Sequence, residues 1–307
     1  MVITAEETRQ AGTTESSGVA HRDAEVAELE LSAARTRRRV LRMLQANPAG
    51  HVGGALSVIE ILVALYRRAM RFGPDRVTDP QRDRFLLSAG HKALAQYAVL
   101  AEVGVVDDPV LDTYGRTGSA LPGHPDLHKL PGIEANTGAL GHGLPIGCGM
   151  ALGARLRGYR SRVYVVLGDG ELPEGSNWEA AAIAAHHRLD TLTAFVDVNG
   201  LQISGPTAQV LGMESIAAKF AAFGWAVVEI DGNDVAAVCD VLDRLPLSAG
   251  RPTAVIARTV KGKGLPGLEG TVASHYWKPT PEQLHAAIAA ADAAVARAAA
   301  RVQEVAR

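Results

Sequence analysis

The chain has 307 residues, 47% of them hydrophobic and 21% charged, with a formal net charge of −2. This supplies enough apolar material for one large α/β domain or at most two small ones. The near-neutral balance argues against a nucleic-acid or anionic-membrane surface, so neither partner is expected. Cys148 and Cys239 form no CxxC pair and imply no disulfide framework, which suits a reducing compartment.

Residues 1–25 are polar, with Glu6, Glu7, Glu15 and Asp23, and lack the basic start and apolar run of a secretory signal. They read as a flexible leader before a domain spanning 26–307, and no later apolar stretch is long enough for a membrane span. A cytoplasmic protein is expected. A helical pattern runs from Ala24 to Gln45, with a basic patch at Arg35–Arg39 expected as a solvated face, and Val58–Arg68 is apolar at helical spacing.

Apolar runs of strand character follow at Arg84–Leu87, Val163–Leu167, Thr193–Val198, Ala226–Ile230 and Thr253–Val260. Segments of helix length lie among them at Ala93–Val103, Gly143–Arg155, Asn177–His187, Ile216–Phe223 and Val235–Leu245, and an Ala-rich amphipathic helix starts at Pro281. This alternation predicts a doubly wound α/β fold, a mainly parallel sheet with helices on both faces. Residues 105–147, rich in Gly, Pro and His, read as long ordered loops over a site.

Leu167-Gly168-Asp169-Gly170-Glu171 directly follows one strand run, and Asn199-Gly200-Leu201 follows the next, with 28 residues between Gly170 and Asn199. Each group therefore leaves the carboxyl end of a strand, where open α/β sheets bind ligands. Mg²⁺ takes one or two oxygen ligands from side chains, with phosphates and water completing its octahedron. Asp169, Asn199 and the Leu201 carbonyl are the expected share of the protein. Gly-Asp-Gly alone also makes ordinary turns. Thr137-Gly138-Ala139-Leu140-Gly141-His142-Gly143 opens a helix, so its N–H groups and the helix dipole suit a phosphate.

Gly-Asp-Gly followed by Asn at this spacing is the thiamine diphosphate motif of transketolases, pyruvate dehydrogenases and related enzymes. Further motifs resemble transketolase in particular. Gly50–Ser57 is similar to GHPGAPLS, Ser88-Ala89-Gly90-His91 to SxGH, Gly123-His124-Pro125-Asp126 to GHP[ED], and Thr137–Gly143 to TGPLGQG. Val260-Lys261-Gly262-Lys263-Gly264 leads to Ser274-His275 as VKGKG leads to histidine in that family. Val52 and Ala139 stand where the pattern has proline, His142 where it has glutamine, and Val198 where a second asparagine often occurs; none removes a proposed ligand.

The resemblance implies that His51, His91, His124 and His275 are catalytic. His51 and His275 would meet the donor C3 hydroxyl and the acceptor aldehyde oxygen, His124 the C1 hydroxyl, and His91 would lie between substrate and diphosphate. It implies a thiamine diphosphate site formed by His91, Gly138, Ala139, Leu140, Gly168, Asp169, Gly170, Glu171, Asn199, Leu201 and His275, with Mg²⁺ (or Ca²⁺ or Mn²⁺) on Asp169, Asn199 and Leu201. Glu174 matches a glutamate at the family's subunit interface, though it also reads as a helix N-terminal acid.

Transketolases are more than twice this long. The pyrimidine-binding and C-terminal domains, which supply the glutamate that protonates the cofactor, have no counterpart here. The resemblance therefore implies the N-terminal subunit of a split transketolase, in an α2β2 assembly with a separate C-terminal subunit. Sugars or sugar phosphates are the expected substrates. Three other readings stand beside it: a specialised acceptor such as an unusual sugar or carrier-protein thioester, the α subunit of a 2-oxoacid dehydrogenase, and a non-catalytic binding module.

Overall fold

The computed structural model describes residues 5–307, with side chains from Ala20 onward. Residues 1–4 of the expected leader lie outside it. From Ala5 the backbone is one helix, α1 (Ala5–Ala46), which starts well before the Ala24 expected from the apolar pattern. The later part of the leader is tied to the domain: Arg22 pairs with Asp240 and Asp243, and Glu25 with Arg68 at 2.8 Å.

Apolar side chains at helical spacing build α2 (Val52–Ser57) and α3 (Ile59–Ala64), closed by a π-helical turn over Leu65–Ala69. Thus the helical stretch expected over Val58–Arg68 is α3 with its π-helical turn, and α2 is a further short helix before it. Then come β1 (Arg84–Leu87), α4 (Ala93–Glu102), α5 (Gly143–Leu156), β2 (Val163–Gly168), α6 (Gly175–His186) and β3 (Leu192–Val198). A small hairpin, β4 (Leu201–Gln202) and β5 (Gly205–Pro206), leads through α7 (Thr207–Leu211) and α8 (Ile216–Ala222) to β6 (Ala226–Asp231). The chain ends in α9 (Val235–Asp243), β7 (Thr253–Arg258) and α10 (Pro281–Val305). Between α4 and α5, residues 105–142 of the expected loop segment are loop apart from a 3₁₀ stretch at Asp108–Thr113, while its last five residues, 143–147, already belong to α5.

The five long strands form one fully parallel sheet in the order β1-β2-β3-β7-β6. Its residues alternate between two cores. Phe85, Leu87, Tyr164, Val166, Phe195 and Val255 pack with α1–α4, α9 and α10. Leu86, Val163, Val165, Leu167, Val196 and Ile256 pack with α5, α6 and α8. Burial on both faces explains why the strands read as continuous apolar runs. Among the described residues no helix is long and apolar enough to cross a membrane.

The patch at Arg35–Arg39 is not simply solvated. Arg37 meets the buried Glu60 at 2.6 Å, Arg38 meets Asp292 of α10 at 2.9 Å, and Arg39 meets Glu102 and Asp108. These pairs fasten α1 to its neighbours.

Candidate active site at the strand tips

Parallel pairing sets Gly168 of β2 opposite Asp197 of β3, so Asp169 and Asn199 leave adjacent strands at the same edge. Asp169 Oδ1 accepts from the Gly170 N–H at 2.8 Å and Oδ2 from the Gly200 N–H at 2.6 Å. Burial, then the neighbouring Asp197 charge, push the Asp169 carboxyl up to about 6. The Leu201 carbonyl accepts from Lys261 Nζ at 2.9 Å. Asp169, Asn199 and Leu201 thus line one cavity. Among the described residues no three His, Cys, Asp or Glu side chains could hold a metal by themselves. A carboxylate, an amide oxygen and a carbonyl instead make a partial, hard-oxygen donor set, which fits an ion completed by phosphate and water.

Asn199 is oriented from below. Its Nδ2 donates to Asp197 Oδ2 at 2.9 Å, which leaves Oδ1 as the acceptor, and this oxygen accepts from the Leu201 N–H at 3.2 Å. Asp197 is fully buried and also accepts from Lys92 Nζ at 2.5 Å, Ser57 Oγ at 2.7 Å and Thr259 Oγ1. Burial pushes this carboxyl up, but the Lys92 charge and these hydrogen bonds outweigh it and hold it below the ordinary range.

The glycine turn is sewn to β2 by Glu171. Its carboxylate accepts from Gly141 N–H at 2.8 Å, Gly168 N–H at 3.1 Å and the Ser88 hydroxyl, while Ser88 Oγ accepts from Gly143 N–H at 3.1 Å. Packing permits no side chain here. A Cβ on Gly90 would lie 2.5 Å from the Thr137 carbonyl carbon, and one on Gly143 2.4 Å from Ser88 Cβ. Gly138, at φ +144°, stands in the region that favours glycine.

Histidines close the site. From the His51 ring centroid, those of His91, His275 and His124 lie at 5.3, 5.5 and 6.0 Å, and Tyr276 at 4.9 Å. Burial pushes His51 and His91 below the ordinary imidazole value, and burial followed by the Lys261 charge takes His275 down to about 4. These rings are therefore neutral near pH 7 and able to accept protons. His275 Nδ1 and Thr137 Oγ1 are buried without hydrogen-bond partners, polar atoms that a bound ligand would satisfy.

A cavity of about 220 Å³ is lined by His51, His91, Gly138, Leu140, Gly168, Asp169, Gly170, Glu171, Asn199, Leu201 and His275 of the expected set. His124 stands exposed at its mouth, and Ala139 is exposed on the turn, outside the lining. Lys92, Lys261, Gln202 and Ile203 also line it. They are not among the residues expected, although Lys92 follows His91 and Lys261 opens the quoted VKGKG segment. Glu174 sits at the N-cap of α6 without a side-chain cap bond, and His142 Nδ1 donates to the Leu140 carbonyl at 3.0 Å. A wider cleft of about 530 Å³ lies along β6 and β7, but it has no histidine, and its Arg258 is paired with Glu229.

Such a sheet, with a hard-oxygen pair and a glycine cradle at its strand tips, defines a thiamine diphosphate-binding α/β domain. Residues 29–287 match the family described as transketolase, thiamine diphosphate binding domain. The chain is 43% identical over 262 residues to one of the subunits of apulose-4-phosphate transketolase from Actinobacillus succinogenes, covering 85% of this chain and 95% of that protein. It is 42% identical over 240 residues to a 6-deoxy-6-sulfo-D-fructose transketolase subunit of Clostridium sp. (strain MSTE9), covering 78% and 87%. The crystal structure of Pichia stipitis transketolase with sedoheptulose-7-phosphate superposes with a TM-score of 0.78 at 30% identity, over 90% of this chain but only 45% of that one. This chain belongs to the transketolase family, as its N-terminal, thiamine diphosphate-binding part.

Proposed function

We propose that this chain, joined by a separate subunit carrying pyrimidine-binding and C-terminal domains, moves a two-carbon ketol unit from a ketose donor to an aldehyde acceptor. The observation that carries the reading is the group of imidazoles packed around His51, directly beside the oxygen donors of Asp169 and Asn199. Relatives of similar length whose names make them single subunits of a transketolase support the division into two chains.

In this reading Asp169, Asn199 and the Leu201 carbonyl hold Mg²⁺, while Gly138, Leu140, Gly168, Gly170 and His91 surround the diphosphate. When bound, thiamine diphosphate supplies the carbon nucleophile and the electron sink that make carbon–carbon cleavage possible. His51 and His275 take the proton of the donor C3 hydroxyl and return one to the acceptor aldehyde oxygen. Their lowered pKa values keep them in the proton-accepting form. His124, at the mouth, holds the C1 hydroxyl. Glu171 positions the turn rather than touching substrate, since its carboxylate already accepts three hydrogen bonds. Substrates are sugars or sugar phosphates, the assembly is α2β2, and residues 26–307 form the working domain. A reducing cytoplasm suits the two buried free cysteines. A 2-oxoacid dehydrogenase α subunit would need the metal site but not these histidines.

Co-expression with the second subunit, followed by a ketol-transfer assay with hydroxypyruvate as donor, tests this. Turnover is expected only from the pair; turnover by this chain alone would overturn the two-subunit reading. Asp169→Ala is expected to abolish Mg²⁺-dependent cofactor binding, and wild-type affinity in that variant would sink the metal assignment.

A further inference from the structure

At the opposite edge of the sheet, where β2 and β3 begin, lies a second cavity of about 330 Å³. Four arginines line it: Arg155 from the last turn of α5, Arg160 and Arg162 just before β2, and Arg188 just after α6. Many arginines elsewhere are matched with acids, and Arg37, Arg38, Arg39, Arg42, Arg68 and Arg82 each meet a carboxylate. Among the described residues none of these four does. Asp190 is the one acid in the wall, and its Oδ2 accepts from the Gly250 N–H at 2.8 Å.

Two of the guanidinium groups are pinned. Arg155 Nη1 donates to the His187 carbonyl at 2.6 Å and Arg162 Nη2 to that of Leu245 at 3.1 Å, while the heads of Arg160 and Arg188 have no hydrogen-bond partner among the described residues. Each guanidinium carries five N–H donors, so most of the donors here remain unspent. The plain explanation for cations at this edge is the negative ends of α5 and α6. Two helix ends amount to about one negative charge and Asp190 to another, which leaves about two positive charges unbalanced. That residue matches the charge of a phosphate monoester near neutral pH, about −1.5 to −2. Tyr159, Ala151, Leu189 and Pro246 add an apolar wall beside the cations.

We infer that this cavity is a binding site for a phosphate group, separate from the thiamine diphosphate site. The guanidinium fork matches phosphate oxygens two at a time. The six residues of β2 separate the two sites by roughly 20 Å, so their ligands do not compete. The source of the phosphate is either the free ion or a phosphorylated metabolite whose body lies against Tyr159.

Calorimetric titration of the full chain, with thiamine diphosphate and Mg²⁺ present throughout and ionic strength held constant with chloride, tests this. Inorganic phosphate is the first probe and adenosine monophosphate the second. Saturable phosphate binding is expected, weakened about tenfold or more in Arg160→Gln/Arg188→Gln. That variant should keep the wild-type circular dichroism spectrum and, without phosphate, melt no lower than wild type, because like-charge repulsion has been relieved. Tighter binding of the nucleotide would identify the metabolite as the source, and equal binding the free ion. Heats that do not saturate, unchanged binding in the variant, or displacement of thiamine diphosphate by phosphate would each overturn the inference.

Discussion

Asp197 does not line the site cavity, yet it sets the geometry of a residue that does. By holding Asn199 Nδ2, it fixes which way the amide is turned and leaves Oδ1 free to accept, and Lys92 balances its buried charge. Asp197→Asn removes that charge and strands Lys92, whose side chain is 3% exposed, at a cost of about 3–5 kcal/mol. Urea denaturation should show this loss, and Lys92→Met in the same chain should recover much of it. Mg²⁺ affinity should fall in both variants, because Asn199 has lost its anchor; full affinity in the stable double variant would show that Asp197 only supports the fold. The motif spacing made Asp169 and Asn199 legible. It could not reveal the pair beneath them, because Lys92 and Asp197 stand 105 residues apart in the chain.

His275 carries a pH signature of its own. Its folded pKa of about 4 lies below the unfolded value near 6.5, so as pH falls the unfolded chain takes up the proton first. The stability that comes from burying the neutral ring is complete above about 6.5 and is lost as pH drops toward 4. His275→Gln should lose less stability than wild type between pH 7.5 and 4.5 in parallel urea titrations. Equal losses would mean that this ring is not held neutral.

Glycines of one helix make opposite demands at the scale of the element. On Gly143, at the start of α5, a Cβ would fall 2.4 Å from Ser88 Cβ and 2.6 Å from Ser88 Cα, and backbone cannot swing aside. Gly143→Ala should cost about 1–3 kcal/mol and loosen the cradle, seen as weaker cofactor binding. On Gly149, in the middle of the same helix, a Cβ meets nothing within 4 Å. There Gly149→Ala should raise the stability of the isolated chain by up to about 1 kcal/mol, because alanine is the better helix former. Two melting curves decide both. The same contrast between local and distant causes explains what the sequence made legible. Five strands and most helices follow from apolar runs, which report burial directly. The early start of α1 follows a polar stretch with no apolar period, and the division into α2 and α3 turns on backbone geometry at Val58, whose side chain is as buried as its neighbours. The ion pairs of Arg37–Arg39 stay hidden in the sequence because their acids lie on other elements.

The whole molecule shows a site with one side open. Its cavity, about 220 Å³, falls below the roughly 300–1,000 Å³ of pockets that enclose a whole ligand, and His124 stands exposed at the mouth. Large apolar side chains cluster in sequence just beyond Asn199: Ile203 is 68% exposed, Leu211 56% and Val210 44%. Ile203 lines the cavity itself, while Leu211 borders the neighbouring hollow that Asp169 and Asn199 share. Leaving such groups in water around a functional opening has a cost that a second chain would remove. If the second subunit closes the site here, Leu211→Asp places a charge where an apolar contact belongs and should weaken assembly about tenfold or more. Sedimentation of the mixed subunits would measure this, with ketol transfer falling in parallel and recovering at high subunit concentration. The isolated chain should keep its melting temperature, because Leu211 is not part of either core. Wild-type assembly by Leu211→Asp would place the interface elsewhere, and the open side of the cavity would then have to be closed by movement of this chain's own loops.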